Sequence, residues 1–292
     1  MLIVAGSASS KLAERVAKQL KCELTKPELK RFPDGELYVR IPADIKGEDV
    51  AIIQSTCYPP NQNYMELFLL LDAARDLGAE EITAIIPYFA YARQDKRFKG
   101  GEAVSLHTVA KLIESVGTNR VFTVDMHAHR IGGVQEIFKI PARNLTAAPL
   151  LANYLVANYQ LEDPVIIGPD EEAERWAMDA GEALDADWDY MIKKRLGPKE
   201  VEIKPRKLEV EGRDAMVIDD IISTGETMVE AIKITKRRGA RKIYAACTHA
   251  VIAGDALEKV RKAGAEDIFA TDTIEHEISK VSVASLIADA IH

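Results

Sequence analysis

The chain has 292 residues, enough for two domains with a core each, and its 47% hydrophobic and 29% charged residues are typical of a soluble globular protein. A formal net charge of -8 argues against a surface that follows nucleic-acid phosphates. Cys22, Cys57 and Cys247 are few and widely spaced, which fits a reducing compartment. No apolar run approaches the ~20 residues that span a bilayer, so we expect a cytoplasmic protein without a membrane or nucleic-acid partner.

Strand and helix patterns alternate along most of the chain. Met1 to Ala5 predicts a strand, and Lys11 to Leu20 predicts an amphipathic helix capped by Ser9 or Ser10. Further strands are predicted over 49–55, 81–87, 121–124, 165–168, 215–220 and 242–247, with helices over 64–77 and 228–238. This alternation is typical of an α/β fold in which helices flank mainly parallel sheets.

The order of elements is repeated. Gly78-Ala79 follows one strand-loop-helix segment as Gly239-Ala240 follows another, and Gly117 precedes a strand as Gly264 does. We therefore predict two tandem copies of one α/β domain, over residues 1-145 and 146-282. A last helix over 283-291 could return to pack on the first copy.

An acid pair and a small-residue turn follow one predicted strand. Asp219 and Asp220 end the apolar run that begins at Ala215, and Ser223 to Thr227 form a turn that leads into a helix. In parallel α/β sheets ligands bind at the carboxyl ends of strands, and amides that open the next helix attract phosphate. Carboxylates can accept hydrogen bonds from ribose hydroxyls, directly or through a divalent cation. The pattern predicts a ribose phosphate site, and the alternative is an acidic turn with a helix cap.

The first copy lacks this combination. Thr56 to Asn63 stands where the phosphate turn should be, without an acid pair and with Pro59-Pro60. We do not expect this copy to bind a ribose phosphate. We expect it to help build the other site or a contact between subunits.

Two loops of the first half suit a nucleotide. Phe32, with Asp34 and Glu36, offers an aromatic face and two acceptors for a purine, although Pro-Asp-Gly is also an ordinary turn. Arg93 and Gln94 follow a predicted strand, where a guanidinium can hold polyphosphate oxygens through paired hydrogen bonds. A solvated loop is the alternative for this second segment.

Three other groups carry candidate chemistry. His127 could bind a divalent cation, act as a base or be structural. Asp170 could share with it a magnesium ion that bridges phosphate groups. Lys193 to Arg195, followed by Gly197-Pro198, could close positive charge over a polyphosphate or form a solvated hairpin.

Taken in order, these motifs resemble those of the ribose-phosphate diphosphokinases, which make 5-phosphoribosyl 1-diphosphate (PRPP). The matching segments are Phe-Pro-Asp-Gly-Glu at Phe32, Tyr-Ala-Arg-Gln-Asp-Lys at Tyr91, Asp-Met-His-Ala at Asp125, Gly-Pro-Asp at Gly168, Lys-Lys-Arg at Lys193 and the acid pair with its turn at Asp219. The resemblance covers the whole chain and implies two type I phosphoribosyltransferase-like domains. It implies transfer of the diphosphoryl group of ATP to the 1-hydroxyl of ribose 5-phosphate, giving PRPP and AMP for nucleotide, histidine and tryptophan biosynthesis.

The resemblance also implies residue roles. Lys193 and Arg195 match the family's mobile catalytic pair, and His127 and Asp170 would bind Mg²⁺. ATP would contact Phe32, Asp34, Glu36, Arg93 and Gln94. Ribose 5-phosphate would contact Asp219, Asp220, Ser223, Thr224, Gly225 and Thr227. The first three ATP residues would come from a neighbouring subunit, so a homo-oligomer with a shared ATP site is expected.

Two segments depart from the family pattern, and two other functions remain open. Ser223 stands where many members have Asp, which is compatible with phosphate binding, while the acidic stretch Glu171 to Trp176 puts phosphate contact and phosphate regulation there in doubt. A phosphoribosyltransferase that uses PRPP would share the acid pair and turn but need only one copy of the domain. A non-catalytic regulatory homologue would be expected to have lost some catalytic positions.

The cationic pair yields a kinetic prediction. We expect Lys193→Ala or Arg195→Ala to lower kcat by about 100 to 1,000-fold while KM changes far less, because cations that arrive on loop closure act mainly in the transition state. Steady-state kinetics with ATP and ribose 5-phosphate measure this. An unchanged kcat in both variants would remove the catalytic role.

Overall fold

The computed structural model describes residues 1–127, 132–195, 201–205 and 209–292, without the side chains of 193–195 and 201–205. The chain divides into two compact units. The first unit contains Met1–Leu145, Thr273–Glu275 and Ser282–His292. The second unit contains Thr146–Asp272 and His276–Val281.

The strands and helices alternate as expected for an α/β protein. The strands are β1 (Leu2–Ala5), β2 (Glu23–Thr25), β3 (Glu28–Arg31), β4 (Leu37–Arg40), β5 (Asp49–Ile53), β6 (Glu81–Ile86), β7 (Arg120–Val124), β8 (Ala142–Leu145), β9 (Val165–Gly168), β10 (Asp187–Arg195), β11 (Val201–Pro205), β12 (Asp214–Ile222), β13 (Lys242–Ala250), β14 (Asp267–Thr271) and β15 (Ser279–Val281). The helices are α1 (Ser10–Leu20), α2 (Pro60–Asp76), α3 (Ser105–Ser115), α4 (Ala148–Asn158), α5 (Glu174–Leu184), α6 (Glu226–Arg237), α7 (Ala256–Ala263) and α8 (Ala284–Ile291). Within the described residues, none of these helices is both long enough and apolar enough to cross a bilayer.

The first unit is built on a six-stranded parallel sheet. Its spatial order is β2-β1-β5-β6-β7-β8, and β3 and β4 form a separate antiparallel hairpin. The α2 residues Leu67, Leu70 and Leu71 are fully buried in the core with strand residues such as Ile52. The last helix, α8, packs against α1 within this unit.

The second unit has a seven-stranded sheet in the order β11-β10-β9-β12-β13-β14-β15, parallel except for β11. Its central strand, β12, has no exposed surface from Ala215 to Ile218. Val217 lies in one hydrophobic core, while Met216 and Ile218 lie in another. A continuous apolar run is typical of a parallel strand that is covered on both faces.

The strand order of one sheet repeats in the other. Starting from β2, the first sheet reads β2-β1-β5-β6-β7-β8, and starting from β10, the second reads β10-β9-β12-β13-β14-β15. In each unit the second strand in space comes first along the chain, and the remaining strands follow in sequence order. The predicted fold of two duplicated, mainly parallel α/β domains is therefore confirmed.

Three local predictions were wrong in detail. Helix α2 begins at Pro60 instead of Tyr64, since proline is well accommodated in a first helical turn. Helix α6 begins at Glu226, two residues before the predicted start. The hydroxyl of Ser9 does not cap α1 and instead accepts a hydrogen bond from the N–H of Ser55 at 2.8 Å.

Candidate functional site

The acidic residues of the second unit gather at one edge of its sheet. Strand β12 lies between β9 and β13 and runs parallel to both, so the carboxyl ends of all three strands meet there. Asp219 and Asp220 lie near the carboxyl end of β12, and Asp170 follows β9. Residues from different strands thus form one polar cluster, as is usual for the ligand edge of a parallel sheet.

The acid pair lies in an environment that disfavours negative charge. Asp220 is 3% exposed and Asp219 is partly buried, with one Asp219 carboxylate oxygen accepting a hydrogen bond from the N–H of Asp220 at 2.9 Å. Burial raises the pKa of Asp219 well above its ordinary value, and the charges of Asp220 and Asp170 raise it further. A bound cation, or hydroxyl groups that donate hydrogen bonds, would relieve this repulsion.

The turn after β12 is shaped by Gly225 and leads directly into helix α6. Gly225 has φ 78°, and a Cβ atom there would lie 3.3 Å from Val260 and 3.4 Å from the carbonyl oxygen of Ala256, so glycine suits both backbone and space. Helix α6 starts at the next residue and has no side-chain cap, which leaves first-turn amides without intrahelical partners. The N–H of Ala253 donates to the carbonyl of Ser223 at 3.2 Å and fixes the start of the turn.

The predicted phosphate contacts are accessible to a ligand. Thr224 is exposed, while Ser223 and Thr227 are partly buried. Amide donors at the start of α6 and the hydroxyls of the two threonines could therefore meet a phosphate beside the acid pair. The structure brings together all six residues predicted to contact ribose 5-phosphate.

A magnesium ion is chemically compatible with this edge of the sheet. Among the described residues, no group of three or more His, Cys, Asp and Glu side chains is arranged to hold a metal. Mg²⁺ commonly uses only one or two carboxylates and completes its shell with water and substrate phosphates. Asp170 is partly buried and also accepts a hydrogen bond from the N–H of Glu172 at 3.1 Å.

In the first unit, Phe32, Asp34 and Glu36 lie on the exposed tip of the β3–β4 hairpin. Phe32 is 48% exposed, and among the aromatic rings of the described chain it forms one edge-to-face pair, with Tyr38, with centroids 6.3 Å apart. The Phe32 N–H donates to the carbonyl of Glu36 at 2.8 Å, and Gly35 has φ 97°. This tight turn leaves one large aromatic face accessible.

The second nucleotide loop, from Tyr91 to Glu102, is organised by a carboxylate. Glu102 accepts hydrogen bonds from the N–H groups of Phe98 and Lys99 at 2.8 and 2.9 Å, and these bonds lower its pKa. The side-chain nitrogen of Gln94, Nε2, donates a hydrogen bond to the backbone carbonyl of Lys96 at 3.1 Å. Arg93 remains exposed beside it.

Both nucleotide loops are attached to the start of α2. Arg31, which precedes Phe32, donates to Gln62 at 2.8 Å. The hydroxyl of Tyr91 donates to Asn61, the adjacent residue of the same helix turn. One helix end thus positions the two segments that were predicted to bind ATP.

The remaining predicted residues are described only in part. His127 follows β7 and is partly buried. The backbones of Lys193 and Arg195 lie in β10, where they pair with Ile203 and Val201 of β11. Their side chains lie outside the described residues.

Sequence reasoning missed two carboxylates that hold loops in place. Glu102 was not named as a candidate, although Gly100-Gly101 before it indicates a turn that a following carboxylate can close. Glu66 of α2 was not singled out, yet its carboxylate is buried against Ser7. The first case had a weak local signal, and the second becomes visible only when the two copies are aligned.

Two duplicated α/β units, with an acid pair and phosphate turn at the edge of one sheet, define a phosphoribosyltransferase-like protein. The model for the N-terminal domain of ribose phosphate pyrophosphokinase matches residues 1–117, and the model for the phosphoribosyl synthetase-associated domain matches residues 156–291. The chain belongs to the ribose-phosphate pyrophosphokinase family of enzymes, which confirms the family inferred from the motifs.

Individual relatives match over nearly the whole chain. Ribose-phosphate pyrophosphokinase of Methanothermobacter thermautotrophicus is 45% identical over 290 residues, 99% of each chain. The protein of the same name from Vibrio cholerae is 37% identical, covering 100% of this chain and 95% of its own. The crystal structure of phosphoribosylpyrophosphate synthetase from Mycobacterium smegmatis has a TM-score of 0.88 at 31% identity, covering 99% of this chain and 97% of that one.

The raised pKa of Asp219 predicts a stabilising substitution. Because the folded-state pKa lies above the unfolded value, stability is lost as pH rises through the folded pKa and the carboxylate ionises. In metal-free buffer we expect Asp219→Asn to have a higher thermal unfolding midpoint than wild type at neutral pH. The difference should shrink as the pH falls towards the ordinary pKa of a carboxyl group, where Asp219 is protonated in the unfolded chain as well.

Asp255 provides the control for this measurement. It is an exposed carboxylate whose pKa is lowered by its hydrogen bond with Lys259, so Asp255→Asn should not stabilise the protein. A midpoint for Asp219→Asn at or below that of wild type at neutral pH would contradict the electrostatic account.

Proposed function

We propose that this chain transfers the diphosphoryl group of ATP to the 1-hydroxyl of ribose 5-phosphate, forming PRPP and AMP. The observation that carries this proposal is the acid pair of the partly buried Asp219 and the buried Asp220, next to the turn Ser223 to Thr227, in a chain of the ribose-phosphate pyrophosphokinase family. Acceptors and amide donors placed side by side match the two ends of a sugar phosphate.

Ribose 5-phosphate would bind with its phosphate at the helix start and its ring hydroxyls at the acids. The amides near Gly225 and the hydroxyls of Thr224 and Thr227 would hold the phosphate. Asp219 and Asp220 would accept hydrogen bonds from the ribose diol. This arrangement would hold the sugar in one orientation.

The reaction needs positioning and charge neutralisation more than covalent help. The C1 oxygen attacks the β-phosphorus of ATP as the bond from that phosphorus to the oxygen bridging to the α-phosphorus breaks, so AMP leaves with the bridging oxygen and the hydroxyl proton is released. Lys193 and Arg195 would neutralise charge on the transferred group. Phe32, with Asp34 and Glu36, would receive the adenine, while Arg93 and Gln94 would hold the rest of the nucleotide.

We propose Mg²⁺ as the metal. Phosphoryl transfer from ATP generally needs a divalent ion, which would neutralise the charge that develops on the phosphates. His127 and Asp170 are the proposed ligands. The partly buried carboxylate of Asp170 and the crowded charges at Asp219 support a cation on this side of the second unit.

A direct assay separates this function from its alternatives. Incubation with ATP, ribose 5-phosphate and Mg²⁺, without any base, should form AMP and PRPP in equal amounts, and EDTA should stop the reaction. A phosphoribosyltransferase would form no AMP unless PRPP and adenine were both supplied, and a non-catalytic homologue would form none. Absence of AMP from the complete mixture would therefore reject the proposal.

We further propose a homo-oligomer in which Phe32 of one subunit completes the ATP site of its neighbour. The exposed ring of Phe32 at the tip of a hairpin supports this arrangement. Phe32→Ala and Arg93→Ala should each be nearly inactive alone, yet mixed oligomers formed from both should recover activity, because some sites then contain both native residues. Recovery is measured after mixing and reassembly, with the Phe32→Ala, Arg93→Ala double variant mixed with either single variant as the control. Lack of recovery in proven mixed oligomers would place both residues in the same subunit's site.

A further inference from the structure

The strand register aligns the two units residue by residue. Strands β5 and β12 both begin with an aspartate, Asp49 and Asp214. The residue after Asp49 pairs with the first residue of β1, and the residue after Asp214 pairs with the first residue of β9. In this alignment Gln54 and Ser55 take the places of Asp219 and Asp220. Ser7, two residues after β1, takes the place of Asp170, two residues after β9.

Hydrogen bonds at the opposite ends of the helices align α2 with α6. The N–H of Gly47 donates to the carbonyl of Gly78 at 2.8 Å, and the N–H of Gly212 donates to that of Gly239 at the same distance. Glu66 lies twelve positions before Gly78, and Thr227 lies twelve positions before Gly239. Glu66 therefore occupies the position of the threonine that is proposed to bind phosphate in the second unit.

The Glu66 carboxylate satisfies donors that a ligand could otherwise use. Its two oxygens accept hydrogen bonds from the N–H and the hydroxyl of Ser7 at 2.7 and 2.5 Å, and Glu66 is only 5% exposed. The side-chain oxygen of Gln54 accepts a further bond from the N–H of Ala8 at 3.0 Å. The turn after β1 is thus occupied by acceptors from the same unit.

We propose that Glu66 is a built-in anion that fills the first unit's copy of the ligand site and limits each chain to one ribose 5-phosphate. The limit on ribose 5-phosphate rests on the proposed function, whereas the filled site does not. A tethered carboxylate competes at a high effective concentration, and its charge repels a phosphate that approaches the same donors. In this alignment Glu226, the first residue of α6, corresponds to position 65 of the first unit, but α2 already starts five positions earlier, at Pro60. An extra turn of helix therefore lies where the second unit has the turn that is proposed to bind phosphate.

Removing the carboxylate should expose an anion site. Ser7 is exposed, so solvent anions can reach its donors once the side chain is shortened. We expect Glu66→Ala to have a lower thermal midpoint than wild type in sodium chloride. At matched ionic strength, acetate or phosphate at ten times its dissociation constant should raise that midpoint by about 3 to 6 °C more than it raises the midpoint of wild type.

Two variants control for charge and volume. Asp76→Ala removes an exposed carboxylate from the end of the same helix and should respond to anions as wild type does. Glu66→Gln keeps the volume and an acceptor, so it should be less stable than wild type but show no additional response to anions. If Glu66→Ala does not fold, Glu66→Thr, which carries the second unit's residue, takes its place with the same expectation.

Ribose 5-phosphate binding provides a second readout. Wild type should bind one molecule per chain, and Glu66→Ala or Glu66→Thr should bind more than one if Glu66, and not the missing acid pair or the extra helical turn, sets the limit. If no variant binds ribose 5-phosphate but Glu66→Ala shows the additional response to acetate and phosphate, the proposed function fails and the built-in anion stands. If acetate and phosphate raise the thermal midpoints of Glu66→Ala and Glu66→Thr no more than that of wild type, the proposal that Glu66 is a built-in anion is wrong.

Discussion

Crowding of carboxylates at the edge of the second sheet is the constraint on which the proposed chemistry depends. Asp219 and Asp220 are held there because β12 is buried on both faces and hydrogen-bonded to β9 and β13, so local repulsion cannot displace the strand end. Asp170 adds its charge from the neighbouring strand. The apolar part of β12 stabilises the strand, and this stability offsets the repulsion between the carboxylates. A diol or a cation can relieve that repulsion. Such a compromise is common at functional sites.

The first unit shows how the same fold avoids this cost. Gln54 and Ser55, both fully buried, replace the two acids with neutral side chains. Glu66 then places a single carboxylate against hydrogen-bond donors, where the second unit leaves its helix start uncapped. Duplicated topology thus supports two different arrangements: in one copy the side chains of Glu66 and Gln54 accept hydrogen bonds from Ser7 and Ala8, and in the other the helix start is uncapped.

Local sequence patterns predicted what depends on neighbouring residues. The apolar run of β12 and the turn at Gly225 follow from periodicity and backbone freedom, so both the strand and its ligand edge could be foreseen. The role of Glu66 could not, because its partner Ser7 is 59 residues away and an isolated glutamate in a helix pattern resembles a solvated residue. The Ser9 hydroxyl was assigned to a local cap for the same reason, whereas its observed donor, Ser55, comes from another strand end.

The distribution of charge also indicates which of the two units each proposed substrate would contact. A triphosphate would be repelled by the carboxylates around Asp219, whereas the exposed loop that carries Arg93 in the first unit has adjacent cations at Lys96 and Arg97. The cations of that loop repel one another, and hydrogen bonds to Glu102 hold the loop together. The Glu102 carboxylate accepts hydrogen bonds from two backbone N–H groups of the loop, and the Glu102 carbonyl accepts one from the Arg97 guanidinium at 2.9 Å. Exposed cations on a loop held by hydrogen bonds to Glu102 suit a polyanion, and acids beside an uncapped helix suit a sugar phosphate. A net charge of -8 is therefore compatible with two anionic substrates, because recognition depends on where the charges are fixed and not on their sum.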